Sequence, residues 1–128
     1  CNPIPGDEIV GYTTQGGKGV TIHRAECPVL ARTDPQRHLP AAWKEGNTRR
    51  RPVRIQVISE DQPGLLAEIT NALRQAEVNI VKAAVETTQD QKGLSWFTIE
   101  VTGRDHLAKV ISQLKRVKNV LSVQRLLG

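Results

Sequence analysis

The chain has 128 residues, a formal net charge of +5 and a pI near 9.6. That length suits one medium domain or two small ones, and the moderate positive charge permits an anionic partner without requiring one. No segment approaches the roughly 18 apolar residues of a membrane span and no signal-like n-region and h-region open the chain, so the expectation is a cytoplasmic protein with no membrane partner.

The charge is spread along the chain. Residues 1–52 hold 8 Lys/Arg against 5 Asp/Glu, and residues 53–128 hold 10 against 8. Only Arg49-Arg50-Arg51 forms a dense run, and a run that short reads more often as a solvated linker than as a binding patch. The aromatic residues Tyr12, Trp43, Trp96 and Phe97 are too few for several base-stacking platforms. The chain begins with Cys1 rather than Met, which reads as a piece of a longer protein whose catalysis need not lie here.

In chain order, Ile9 to Thr13 and Val20 to His23 are short strand candidates. Gln15-Gly16-Gly17-Lys18-Gly19 is the hairpin between them, and Cys27 to Ala31 starts a short helix. His23 and Cys27 are separated by three residues, a spacing that lets both reach one ion when the chain turns into a helix. Cys1 is a third candidate ligand. Two sulfurs and an imidazole suit Zn²⁺, although a closed structural site takes four ligands. Residues 1–42 are too few to build a useful core alone, which is a physical reason for a metal staple. The residues equally allow a buried thiol, a surface histidine and no metal. Gly16 to Gly19 lacks the spacing and following helix of a phosphate loop. Cys27 with His23 as nucleophile and base lacks an orienting acid, and no catalytic set is found elsewhere.

Trp43 to Pro52 is polar, contains Gly and Pro and has no apolar period, so it reads as a linker. Val53, Ile55 and Val57 then alternate with Arg54 and Gln56 as a half-buried strand. Asp61-Gln62-Pro63-Gly64 turns the chain. Leu66, Ile69, Leu73 and Ala76 recur at helical spacing within Leu65 to Glu77. Asn79 to Thr88 is a second strand, Gln89 to Gly93 a polar hairpin loop, and Leu94 to Val101 a third strand. Leu107, Val110, Ile111, Leu114 and Val117 form a second amphipathic helix with Lys109, Lys115 and Arg116 outside. Val120 to Leu126 is the final strand. The predicted fold is α+β: a small β-rich, zinc-finger-like unit (1–42), a linker (43–52) and a ferredoxin-like βαββαβ unit (53–128). RNA-recognition modules share that order, but Trp96 and Phe97 are adjacent and point to opposite faces of the sheet.

The turn Asp61-Gln62-Pro63-Gly64-Leu65-Leu66 carries the clearest functional signal. A strand that opens directly into a helix presents free backbone amides, and the helix dipole favours an anion there. Gly64 lets a ligand approach the backbone. Asp61 reads both as an N-cap and as a ligand contact, and Pro63 reads as a helix start near N1.

The D-x-P-G-L-L turn resembles the signature of the ACT domain, a regulatory module that often binds amino acids. The stretch P-I-P-G-D-E-I-V-G-Y, the Gly-rich turn and G-V-T-I-H-R-A-E-C resemble the zinc-finger, or conserved-cysteine, segment of the long RelA/SpoT-type stringent-response enzymes. Together the two resemblances cover essentially the whole chain. They imply that Cys1, His23 and Cys27 are zinc ligands. A pair of adjacent cysteines opens the family motif, so the chain starts between them and its site is one ligand short. The resemblance further implies a non-catalytic regulatory piece of a parent that makes, and often hydrolyses, (p)ppGpp, acting as a GTP diphosphokinase and/or (p)ppGpp hydrolase. By analogy, ACT units pair as homodimers with the effector at the seam. Gln62 to Leu66, with Asp61 beside them, would meet a branched-chain amino acid, valine or isoleucine, and Asn79, Ile80 and Val81 would wall its pocket. The implied macromolecular partners are the parent's catalytic N-terminal half and the ribosome with its rRNA. A rival reading makes the chain an rRNA-docking module with no small ligand, using Arg49 to Arg51 and Lys109, Lys115, Arg116 and Lys118.

Overall fold

The computed structural model describes residues 1–13, 19–44 and 49–126. The hairpin turn at Gln15 to Lys18 and the centre of the expected linker therefore lie outside the described residues. The small unit contains β1 (Ile9–Thr13), β2 (Val20–Arg24), α1 (Pro28–Ala31), a 3-10 turn at Pro35–Arg37 and β3 (His38–Pro40). These strands form a three-stranded antiparallel sheet in the order β2-β1-β3. β3 is absent from the sequence reading, because three residues ending in proline carry no alternation to detect. It stands at a sheet edge, where a missing amide is tolerated.

The larger unit contains β4 (Arg51–Glu60), α2 (Leu65–Gln75), β5 (Asn79–Thr87), β6 (Lys92–Val101), α3 (Arg104–Lys115) and β7 (Val120–Arg125). Its antiparallel sheet runs β5-β6-β4-β7, so the expected βαββαβ order is present. Strict alternation puts Val53, Ile55 and Val57 of β4, and Phe97, Ile99 and Val101 of β6, on the face that the helices cover. Leu65, Ile69, Ala72 and Leu73 of α2 and Leu107, Val110 and Leu114 of α3 close this core. In the β5–β6 turn the left-handed position is taken by Gln91, at φ 62°, while Gly93 lies inside β6.

Two expectations for α2 are corrected. Its N-cap is Gly64, with φ 79°, so neither Asp61 nor Pro63 holds the first helical positions. Leu65 is 6% exposed and Leu66 45% exposed, the reverse of the expected stripe. The left-handed Gly64 starts the helix so that residues 65, 69, 72, 73 and 76 share the core side; a side chain at 66 is rotated about 100° away from 65.

The small unit does not stand on a core of its own. Ile4 is fully buried within the cluster formed by the larger unit's strands and helices. Pro5 O accepts from the amide of Arg104 (2.8 Å) at the head of α3. Gly6, at φ 100°, makes this approach possible: a Cβ there would lie 2.9 Å from the Arg104 Cβ. Trp43 Nε1 donates to Asp7 O (3.0 Å), and the Arg51 guanidinium stacks on the Trp43 ring at 4.8 Å. β4 thus begins inside the stretch expected to be linker, with Arg51 paired to Val101.

Asp7 organises this junction. Arg125 grips its carboxylate through Nη1 and Nη2, each at 2.9 Å, and the Ile4 amide donates to Oδ2 at 2.9 Å. Arg24 Nε (3.7 Å) and Arg104 Nε (3.8 Å) stand close by. Burial pushes the Asp7 carboxyl up, but the Arg125 hydrogen bonds, the Ile4 amide and the charges of Arg125 and Arg24 outweigh it and hold its pKa below the ordinary value. Arg24 Nε and Nη1 and Arg125 Nε are buried without a hydrogen-bond acceptor among the described residues; Arg125 is compensated by Asp7, and Arg24 by Asp7 and by Glu26, which its Nη2 bonds.

Removing one partner of a buried ion pair costs about 3–5 kcal/mol. Asp7→Ala is therefore expected to lower the unfolding free energy by about that much in urea titrations at neutral pH. A depressed folded-state pKa gives stability that is present above the ordinary carboxylate pKa of about 3.9 and is lost as pH falls through the folded value. The acid limb of the stability profile should accordingly be shallower in Asp7→Asn than in the wild type.

Candidate effector and metal sites

The turn after β4 is held from both sides. Glu60 N donates to Asn119 O and Asp61 N to Gln91 O, each at 2.9 Å. Leu65 N donates back to Gln62 O (3.2 Å) and Glu68 N to Gly64 O (3.2 Å). Asp61, Gln62, Pro63 and Gly64 are all exposed. Nothing lies within 4 Å of a Cβ built on Gly64. The glycine is required by its positive φ, and the space beside it is open to a ligand. With the core taking Leu65, the exposed Leu66 is the apolar side chain at this turn.

Asn79, Ile80 and Val81 begin β5, beyond the other end of α2. Asn79 faces Glu100, to which its Nδ2 donates (2.9 Å), and Glu100 also pairs in register with Pro52 at the start of β4. The turn follows Glu60 at the end of that strand. α2 has 11 residues between the two places, about 16 Å at 1.5 Å per residue. One chain therefore does not bring the two halves of the predicted effector site together. A hollow of about 550 Å³ beside the start of β5 is lined by Asn79 and Ile80, with Ala67, Thr70, Arg74 and Val78, and by none of residues 61–66. β5 is an edge strand. Val81 falls at its register shift, between Ile80 and Lys82, and is 58% exposed.

Cys1, His23 and Cys27 come together as a cluster whose ligand atoms all lie within 4.8 Å of one another. Cys1 Sγ is 3.9 Å from His23 Nδ1, and His23 Nε2 is 3.2 Å from Thr21 Oγ1, which leaves Nδ1 directed at the cluster. The Arg24 amide donates to Cys1 Sγ (3.2 Å). Burial pushes the Cys27 thiol up, but the amides of Leu30 and Val29 and the ring of His23 outweigh it and hold its pKa below the ordinary value. Amides pointed at sulfur and a histidine oriented by a second group are features that support bound metal. Bonds of about 2.3 Å to sulfur and 2.0–2.1 Å to nitrogen require only a small contraction of this cluster. The residues thus fit a tetrahedral ion, with three ligands present of the four that a closed site takes.

The other sequence candidates are placed as follows. Lys109, Lys115, Arg116 and Lys118 are exposed on and just after α3. Arg50 Nη1 donates to Glu77 O (3.0 Å), and Arg51 stacks on Trp43, so part of the basic run is engaged in holding the junction. Trp96 is half-buried on the open face of the sheet, lining a hollow with Arg54, Lys82 and Ala84, while Phe97 is in the core. The sequence reading missed Ile4, Asp7 and Arg125 as a group. Asp7 reads as part of a turn in P-G-D-E, and nothing in the sequence pairs it with a residue 118 positions later.

The RelA/SpoT RIS domain family matches residues 1–44, and the ACT domain family matches residues 47–125. A GTP pyrophosphokinase of Myxococcus xanthus is 36% identical over 126 residues, covering 98% of this chain and 16% of that protein. A GTP pyrophosphokinase of Escherichia coli K12 is 37% identical over 132 residues, covering 100% of this chain and 18% of that protein. The chain thus spans less than a fifth of the length of these relatives. The crystal structure of the ACT domain from a GTP pyrophosphokinase of Chlorobium tepidum superposes with a TM-score of 0.55 at 24% identity, covering 61% of this chain and 100% of that one. The chain belongs to the ACT domain family, and its RIS and ACT segments together form the small regulatory portion of a RelA/SpoT-family protein.

Proposed function

We propose that this chain is a non-catalytic control module in which the ACT unit binds a small aliphatic amino acid and thereby sets the balance of (p)ppGpp synthesis and hydrolysis in its parent protein. The observation that carries this reading is the exposed Asp61–Leu66 turn with its left-handed Gly64. A carboxylate there meets the start of α2, where backbone amides and the helix dipole favour an anion. Asp61 is exposed beside it and takes the ammonium group. The exposed Leu66 and Val81 supply the apolar walls that favour valine or isoleucine. Because α2 holds the turn and Asn79–Val81 apart, the effector sits at the seam of two copies, with the turn from one and the start of β5 from the other. An effector that fits this seam acts on the catalytic half only through its preference for one state of the parent.

In the same reading Cys1, His23 and Cys27 hold a zinc ion that serves as a structural staple. Bound zinc supplies no chemistry beyond cross-linking the strands and loop that carry its ligands. A ribosomal docking role for the exposed Lys109, Lys115, Arg116 and Lys118 uses a different surface and is compatible with sensing; electrostatic docking of this kind weakens steeply as salt rises.

Calorimetric titration with valine and isoleucine should give saturable heat, and glycine and lysine should give none. Gly64→Arg should abolish the heat while circular dichroism still reports a folded chain. Equal responses to all four amino acids, or none to any of them, contradict the sensor reading. Zinc competition with a chromophoric chelator tests the staple: His23→Ala and Cys27→Ser should each lose at least tenfold in affinity, and wild-type affinity in both variants contradicts it.

A further inference from the structure

We infer that metal at the Cys1–His23–Cys27 cluster controls the stability of the ACT core, through a strap formed by residues 1–7. This inference rests on the reading of those three residues as metal ligands. One end of the strap is a ligand, since Cys1 Sγ belongs to the cluster. The rest of the strap is fastened to the other unit. Asn2 O accepts from Arg125 Nη2 (3.1 Å) on β7. Ile4 is fully buried among the side chains of the ACT core. Pro5 O receives the Arg104 amide at the head of α3, and Asp7 receives the Arg125 fork.

The remaining ligands lie off the strap. His23 is on β2 and Cys27 is the N-cap of α1. An ion bound by all three therefore ties β2 and α1 to a peptide whose next anchor, Ile4, sits three positions away inside the ACT core. That separation spans at most about 11 Å of extended chain, too short for Cys1 to remain at the cluster if Ile4 withdraws far from the core. Cys1 is further tied to β2 by the Arg24 amide, and the Arg24 guanidinium stands beside Asp7. Metal affinity and ACT stability are then linked. An ion that binds the assembled state and not the unfolded one stabilises every part that must unfold for it to leave. Reciprocity follows: the factor by which the ion favours the assembled state is the factor by which that state binds the ion better than the unfolded one.

Amide hydrogen exchange on the 128-residue chain, with and without Zn²⁺, tests this directly. At free Zn²⁺ 100 times its dissociation constant, exchange through global opening slows about 100-fold. The inference places that slowing at the core amides of β4 and β6, including Ile55, Phe97 and Ile99, as well as in β1 and β2. Slowing confined to residues 1–40 overturns the linkage and leaves the metal site standing. No slowing anywhere, with zinc up to millimolar, overturns both. A variant supplies an independent arm: Ile4→Ala keeps every ligand and removes the anchor, so Zn²⁺ should still slow exchange in β1 and β2 but slow it at least tenfold less than in the wild type at the core amides of β4 and β6. Equal slowing of those core amides by Zn²⁺ in Ile4→Ala and in the wild type overturns the inference.

Discussion

The buried carboxylate of Asp7 is the point on which the arrangement of the two units depends. It takes a bidentate grip from Arg125 on the last strand and an amide from Ile4, with Arg24 and Arg104 within ion-pair reach. A charge taken out of water is tolerated only when paired and hydrogen-bonded, and here the bidentate Arg125 part of that pairing is possible only if the small sheet and the larger one are docked. Ile4 adds an apolar side chain to the neighbouring core, a burial of the order of 1.5–3 kcal/mol. A segment too short to form a core of its own thus completes one that belongs to its neighbour, and the same peptide carries Cys1 of the candidate metal cluster.

That docking leaves the proposed effector turn unobstructed. The Asp61–Leu66 turn is exposed, and residues 1–7 are anchored on β7, the core and the head of α3. The separation of the turn from Asn79–Val81 by the length of α2 is the geometric reason to expect two copies at an effector site. It also explains how a small ligand can have a large consequence. A molecule held between two chains stabilises their pairing, and any state of the parent that requires that pairing gains by the same amount.

The larger unit was legible in the sequence because its signals are local. Alternation in Val53, Ile55 and Val57, the helical stripe ending at Ala76, and the turn around Gly64 each show within a short window. The errors fall where a backbone conformation or a distant contact decides. The exchange of Leu65 and Leu66 follows from the left-handed Gly64, whose effect on helical phase no hydrophobic pattern records. β3 is too short to show a period, and its pairing with β1 arises from tertiary contact. The metal cluster was half legible: the spacing of His23 and Cys27 is local, whereas Cys1 joins them only through the fold. Ile4, Asp7 and Arg125 carry no local signature at all, because each looks ordinary until the chain ends meet.

The central claim is that the two units form one cooperative structure. Trp43 reports on the junction through its bond to Asp7 O and its stacking with Arg51, whereas far-UV circular dichroism reports mainly on the helices and sheet of the ACT unit. In a Trp96→Phe chain, Trp43 is the sole tryptophan. Urea titrations of that chain, followed by Trp43 fluorescence and by circular dichroism, are predicted to give coincident midpoints and slopes. A junction transition at clearly lower urea than the loss of ellipticity would contradict the account.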